Sequence, residues 1–355
     1  MRFDRRSPDV YGLAHPKALL KEIAENGEVL QLLGNQHIVS SSQFDGAMFR
    51  QLLRLAAKFE SNPERYTRFN SPLSGKILIN AFYEPSTRTR LSFDSAWHRL
   101  GGDTITITDR SSTGIAKGES LEDVAEMFNN YGDCVVLRDN HADSVHRMMG
   151  SLRIPIVNAG NGTEEHPTQA MADLYAILKA RPELAREDVA ADNRIQIGIV
   201  GIPRRMRTVR SLLKTLTAFP GIIDQITLIH DHSVSVTDLF DPGQREELEA
   251  CGLPIGTSHN LKEQLPHLDV IYINAIVPMG QNYETLGRAF HLTASDPFKE
   301  GAIVLHPLAR GEELDVSLDT TPHNWYFAQA RGAVFLRMAL LTCLVERAER
   351  VMDVI

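Results

Sequence analysis

Phe82-Tyr-Glu-Pro-Ser-Thr-Arg-Thr-Arg-Leu-Ser-Phe93 joins the apolar run from Ile77 to Phe82 to a segment whose apolar residues recur at helical spacing. The run reads as a buried strand. Pro85 breaks it, and Ser86 or Thr87 stands where a helix is capped. From Leu91 onward, Leu91, Phe93, Ala96, Trp97 and Leu100 approximate one helical face, which places Ser86 to Arg90 on the first turn. Backbone N–H groups there have no intrahelical acceptor, and the helix dipole adds positive potential. Three hydroxyls and two guanidinium groups make this turn a candidate phosphate site; the plainer alternative is a capped surface helix with solvated arginines. Arg88 and Arg90 diverge around a helix, so one is expected to meet the ligand and the other to form a structural ion pair.

Around this stretch, strand-like runs at 77–82, 104–107, 134–137 and 154–158 alternate with helix-like segments at 86–100, 120–131 and 141–150. The rhythm is βαβ and implies a parallel sheet covered on both faces. A helix from His166 to Ala180 can bridge to a second unit. There, strands at 195–200, 225–230, 270–273 and 302–305 alternate with helices at 204–218, 243–251 and 260–264. A last helix is expected from about Asn324 to Met352. The expected fold class is thus α/β, with two doubly wound parallel-sheet domains. Upstream, 15–24 can form a short helix with Leu19, Leu20 and Ile23 on one face, best explained as a packing arm or an extension toward a neighbouring subunit.

A chain of 355 residues suggests two domains, and 43% hydrophobic with 23% charged residues is the composition of a globular protein. The net charge of -8 argues against a nucleic-acid partner. The three cysteines, Cys134, Cys251 and Cys343, lie beside apolar residues, so a buried, reduced thiol is expected for each rather than a disulfide framework or zinc site. Met1-Arg-Phe-Asp-Arg-Arg6 leads into polar sequence, and no run reads as long enough to span a bilayer; the expected compartment is the cytoplasm. After the run 195–200 comes Gly201-Ile-Pro-Arg-Arg-Met-Arg207, which lacks Gly-x-Gly-x-x-Gly, and no Walker A motif occurs, so no nucleotide cofactor is expected. No metal site is expected either.

Glu84-Pro-Ser-Thr-Arg-Thr-Arg-Leu-Ser-Phe93, followed by His98-Arg-Leu-Gly-Gly102, resembles the carbamoyl-phosphate motif of the aspartate and ornithine carbamoyltransferases. Lys117-Gly-Glu119, Val136-Leu-Arg138, Asn158-Ala-Gly-Asn-Gly162, His166-Pro-Thr-Gln169, Arg207-Thr-Val209, His306-Pro-Leu308 and Trp325-Tyr-Phe327 follow in the family's order, with the aspartate catalytic chain the nearer branch. The resemblance implies that 36–180, with a C-terminal helix 324–355 crossing back, binds carbamoyl phosphate. It makes 181–323 the acceptor-binding domain and 1–35 an N-terminal extension.

By that resemblance Ser86, Thr87, Arg88 and Thr89 hold the phosphate, Arg138 and His166 face the carbonyl oxygen, and Gln169 and Leu308 complete the carbamoyl-phosphate site. Arg88, Thr89, Arg138 and His166 are the catalytic set. Lys117, Arg207, Asn274, Gln281 and Leu308 are assigned to the acceptor, with Thr113 and Lys117 entering from the adjacent subunit of a homotrimer. No cofactor is implied. The residues themselves support parts of this: Pro167 suits a first helical position, and Gln169, three residues after His166, shares its helical face.

The acceptor is the open point. Aspartate enzymes of the family carry Thr-Arg-x-Gln where this chain has Asn274-Ala-Ile-Val-Pro-Met-Gly-Gln281; Met279-Gly-Gln281 is nearer the ornithine enzymes' Ser-Met-Gly. Arg207 and His306-Pro-Leu308 match the aspartate pattern, although Ala309 replaces the usual Pro; Arg204 or Arg205 can supply the missing cation. Aspartate is favoured as acceptor. Another amino acid or amide is the alternative, and a non-catalytic relative is a third reading.

Overall fold

The computed structural model describes residues 15–68, 71–274 and 288–352. Along the first half run α1 (His15–Glu22), α2 (Gly27–Gln31), α3 (Gly46–Ser61), α4 (Pro63–Arg68), β1 (Ile77–Phe82), α5 (Thr87–Arg99), β2 (Asp103–Ile107), α6 (Leu121–Tyr131), β3 (Cys134–Asp139), α7 (Ser144–Met149), β4 (Ile156–Asn161) and α8 (Pro167–Ala180). The second half adds β5 (Ile195–Val200), α9 (Arg207–Leu216), β6 (Ile223–Ile229), α10 (Gln244–Ala250), β7 (Ile255–Ser258), α11 (Leu261–Gln264), β8 (Val270–Ile273), β9 (Ile303–Leu305) and α12 (Tyr326–Leu344). Both sheets are parallel, ordered β2-β1-β3-β4 and β7-β6-β5-β8-β9. This is the α/β fold of two doubly wound sheets that the periodicity implies.

The chain forms two compact units. One holds the first sheet, within Ile23–Ala172, together with the chain from Gly332 onward; the other holds the second sheet, within Asp173–Arg331, together with α1. Both α8 and α12 therefore start in one unit and end in the other. The crossing back of the last helix follows the expectation. The units change over at 172/173 and 331/332, where the sequence reading draws its boundaries at 180/181 and 323/324. Residues 15–22 pack in the second unit, with Leu19 fully buried and Arg186 Nε 2.6 Å from Glu22 Oε2.

Local chemistry explains the elements that place the site. The strands β1 and β3 are nearly continuous buried runs, as strands covered on both faces must be. Ser120 caps α6 by accepting the Asp123 N–H at 3.0 Å, and Glu122 and Asp123 in its first turn suit the dipole. Helix α5 buries Thr89, Phe93, Ala96 and Trp97. Leu91 is 51% exposed, a correction to the expected face: it lies roughly 200° around the helix from both Thr89 and Phe93.

Four elements escape the sequence reading. The helices α2 and α4 are short, the strand β7, Ile-Gly-Thr-Ser, is too short and polar to stand out, and α3 has no counterpart there although Phe49, Leu52, Leu53 and Ala56 recur on its buried face. A further correction concerns α12. Its length and composition would suffice to cross a membrane, contrary to expectation, yet 78% of its apolar window is buried inside the protein, as in a core helix.

Candidate active site

In open parallel sheets, ligands bind beyond the carboxyl ends of the strands, where the strand order reverses direction. In the first sheet that point lies between β1 and β3, since β2 flanks β1 on one side and β3 on the other. Phe82 pairs with Arg138 in the register, so the chain leaving β1 towards Ser86 and the end of β3 emerge side by side.

Ser86 is the N-cap of α5, in extended conformation, and its hydroxyl makes no capping hydrogen bond. The first intrahelical bond is Arg90 N–H to Ser86 O at 3.2 Å. Thr87 and Arg88 are exposed, and Thr89 is buried. Arg88 makes no hydrogen bond or ion pair among the described residues, whereas Arg90 Nη1 lies 3.6 Å from Asp94 Oδ2. The ion-pair half of the expected division is met, at Arg90. Arg138, 7% exposed, donates to Glu84 Oε1 at 2.6 Å and to Ala159 O at 3.2 Å, while its own carbonyl accepts Tyr83 N–H at 2.8 Å. A buried guanidinium held this way is fixed in direction before any ligand arrives.

His166 and Gln169 enter the same sheet edge through the turn after β4. His166 is buried just before α8, and its carbonyl accepts the Gln169 N–H at 3.0 Å. The segment Asn158 to Gly162 is a polar frame for this turn. Asn158 Nδ2 donates to Val39 O at 3.0 Å and to Asn161 Oδ1 at 2.8 Å, and Asn161 Nδ2 donates to Ala142 O at 2.8 Å. Glycine is required at 162: φ is +50° and an added Cβ would lie 3.0 Å from Asn140 O. Thr113 caps two successive 3-10 turns, Arg110–Ser112 and Gly114–Lys117, and Lys117 ends the second. Thr113 Oγ1 donates to Arg110 O at 2.7 Å, while Lys117 is exposed with no ion pair among the described residues.

The second sheet repeats the design. Its order reverses between β5 and β8, and these strands lead to Arg207 and Asn274. Arg207 opens α9, and Asn274 Nδ2 donates to Thr208 Oγ1 at 3.1 Å. Of the candidate extra cations, Arg204 is engaged, with Nε 3.0 Å from Asp241 Oδ1, and Arg210 holds the other carboxylate oxygen at 2.8 Å. Arg205 is exposed with no partner among the described residues. Gln281 and the stretch Met279-Gly-Gln281 lie outside the described residues.

Leu308, beyond β9, has φ +58° and is followed by a cis peptide to Ala309. Its N–H donates to His306 Nδ1 at 2.8 Å, so the proton of the neutral ring sits on Nε2, 3.0 Å from Glu313 Oε1. Burial works against the Glu313 charge, but the His306 contact and the Gly311 N–H at 2.6 Å outweigh it and hold the carboxyl below its usual range. Glu84, Thr208 and Glu313 were not singled out from the sequence. Each is a support that acts through a predicted neighbour; Glu84 and Thr208 lie inside quoted motifs, whereas Glu313 lies outside them. Among the described residues, no group of three His, Cys, Asp or Glu side chains is placed to hold a metal ion.

Each sheet reversal thus gathers candidate residues of its own: Arg88 and Arg138 at the first, and Arg207 and Asn274, which bonds Thr208, at the second. Residues 36–179 match the aspartate/ornithine carbamoyltransferase carbamoyl-P binding domain, and residues 193–344 match the Asp/Orn binding domain. The aspartate carbamoyltransferase catalytic subunit of Methanopyrus kandleri is 34% identical over 319 residues, 88% of this chain and 97% of that protein. That of Saccharolobus islandicus (strain M.16.4) is 37% identical over 311 residues, 86% of this chain and 95% of the relative. A crystal structure of aspartate transcarbamoylase from Trypanosoma cruzi in complex with carbamoyl phosphate and aspartate has a TM-score of 0.76 at 30% identity, covering 89% of this chain and 98% of that one. Both domains matched in order, relatives aligned over nearly their full length and the same fold together establish that the chain belongs to the aspartate/ornithine carbamoyltransferase family.

Proposed function

We propose that this chain transfers a carbamoyl group from carbamoyl phosphate to the amine of L-aspartate, giving N-carbamoyl-L-aspartate and phosphate, a step of pyrimidine biosynthesis. The amine nitrogen bonds to the carbonyl carbon, the bond from that carbon to the phosphate oxygen breaks, and the departing phosphate takes the proton the amine loses. The protein's task is positioning and charge stabilisation. Ser86, Thr87, Arg88 and Thr89 hold the phosphate, Arg138 and His166 donate to the carbonyl oxygen, and Gln169 and Leu308 orient the carbamoyl amide. Arg207 binds the acceptor's α-carboxylate.

The observation that carries this reading is the presence, at one sheet reversal, of Arg88 on a helix first turn, with no partner among the described residues, and of the buried, Glu84-held Arg138. A dianionic leaving group and a carbonyl that gains negative charge need those two cations. Asn274, in place of the family's Thr-Arg-x-Gln, favours a second reading in which an ornithine-like or neutral amino acid is the acceptor.

By the same resemblance the working form is a homotrimer in which Thr113 and Lys117 complete a neighbour's site. The compartment is the cytoplasm, a placement supported by the unpaired thiols of Cys134 and Cys343, which are buried as expected, and of Cys251, which is exposed where burial was expected. Incubation with carbamoyl phosphate and single amino acids, followed by mass identification of the product, tests the reading. A carbamoylated amino acid and one equivalent of phosphate are expected; no product with any acceptor would overturn it.

A further inference from the structure

We infer that the ion pair between Arg110 and Asp139 positions the Thr113–Lys117 segment for the reaction. The inference rests on the role proposed above for Thr113 and Lys117 and identifies two positioning residues that act through them.

Asp139 closes β3 directly after Arg138 and is 1% exposed. A carboxylate so far from water needs partners. It accepts Ser144 Oγ at 2.7 Å and Arg110 Nη1 at 3.0 Å, and a weaker contact comes from the His141 N–H at 3.4 Å. Arg110 is its charged partner, and it also lies over the Tyr83 ring, 5.8 Å from the centroid. Tyr83 immediately precedes Glu84, and its N–H bonds to Arg138 O. Burial, and then the Asp139 charge, pushes its hydroxyl up to about 12. The Arg110 side chain is thus clamped between the ends of β1 and β3.

The backbone of Arg110 passes that constraint on. Its carbonyl accepts both the N–H of Thr113, at 3.2 Å, and the Thr113 hydroxyl, at 2.7 Å. Thr113 then begins the turn Gly114–Lys117, which ends at Gly118 with φ +94°. From the buried carboxylate to Thr113 there is one residue, and Lys117 is one turn further. Adjacent residues of β3 consequently do different jobs: Arg138 is fixed by Glu84, and Asp139 fixes the loop.

Arg110→Ala and Arg110→Lys test this, because Arg110 is partly exposed and its removal leaves the Ser144 bond to Asp139 in place. Two readouts are used: amide exchange of residues 111–118, and steady-state carbamoylation. For Arg110→Ala the expected result is faster exchange confined to 111–118, with a fall in kcat of about a hundredfold, the scale of a misplaced positioning group. Arg110→Lys should recover part of both. Unchanged exchange in the loop, or loosening spread evenly over the first unit, would overturn the inference, as would wild-type kcat alongside a loosened loop. If the wild type carbamoylates nothing, the proposed function falls, and the exchange data still decide whether the pair holds the loop.

Discussion

Glu84 Oε1 accepts a 2.6 Å charge-assisted hydrogen bond from Arg138 Nη2, so the residue after Tyr83 in one strand connection aims the guanidinium at the end of the neighbouring strand. The pair is mostly shielded from water, which strengthens it and makes half of it costly to leave behind. Glu84→Gln should keep a hydrogen bond with weakened aim, and Glu84→Ala should release Arg138. A loss of about a hundredfold in kcat/KM is expected for Glu84→Ala, with Glu84→Gln between it and the wild type. Steady-state kinetics on the two variants check the order.

Arg88 and Arg90 should separate cleanly. Arg88→Ala removes a cation with no partner among the described residues and should reduce kcat/KM by about 10² to 10³, the scale seen when one preorganised donor is lost. Its thermal stability should change by less than about 0.5 kcal/mol, as for other exposed positions. Arg90→Ala loses the Asp94 pair, worth about 0.3–0.5 kcal/mol, and should retain most activity. Kinetics and thermal melts on both variants decide; equal activity loss in the two would contradict the division.

At the acceptor half-site, Arg207→Ala should raise the acceptor KM with little effect on carbamoyl phosphate. Hydrogen bonds to charged groups contribute about 1.5–3 kcal/mol, so the KM should rise about 10- to 100-fold. Arg204 is committed to Asp241, which leaves Arg205 as the candidate for a side-chain carboxylate. Arg205→Ala should weaken aspartate more than a neutral amino acid, a contrast read from KM values measured in parallel.

Glu313 sets an acid limit on stability. Its folded-state pKa is depressed, so it contributes stability that is present above the ordinary value of 4.5 and is lost as pH falls through the lower folded value. Denaturant melts between pH 7 and 3 should show wild-type stability falling in the acid range. Glu313→Gln should be less stable at pH 7, by about 1–3 kcal/mol for a buried partner lost, and should show a shallower acid slope. An unchanged slope would mean that Glu313 is not the group responsible.

The proposal that Thr113 and Lys117 complete a neighbour's site makes a further expectation. Inactive Arg88→Ala and Lys117→Ala proteins, mixed under conditions of subunit exchange, should recover part of the activity, because some hybrid trimers contain a site free of both lesions. No recovery despite demonstrated exchange would mean that each chain completes its own site.

Much of this was legible in the sequence because the decisive strands are continuous apolar runs. The runs 77–82, 195–200 and 270–273 have those bounds in the structure. The start of α5 was legible because Pro85 and Ser86 punctuate the change of period there. What stayed hidden depends on contacts distant in sequence: Arg110 and Asp139 are 29 positions apart, and Arg138 and Glu84 are 54. Leu91 misled for the opposite reason. A hydrophobic side chain two positions from a buried neighbour was credited to the core, and Thr89, being polar, was not, although the helical repeat puts Thr89 inside.

The most direct test of carbamoyl transfer to aspartate is a competition. Equal concentrations of L-aspartate, L-ornithine and L-asparagine are incubated with limiting carbamoyl phosphate and the full-length protein, and the products are quantified by mass. The account predicts N-carbamoyl-L-aspartate as the major product, formed mole for mole with phosphate. A majority of carbamoylated ornithine or asparagine would contradict aspartate as the acceptor, and phosphate release without any carbamoylated product would contradict the transfer itself.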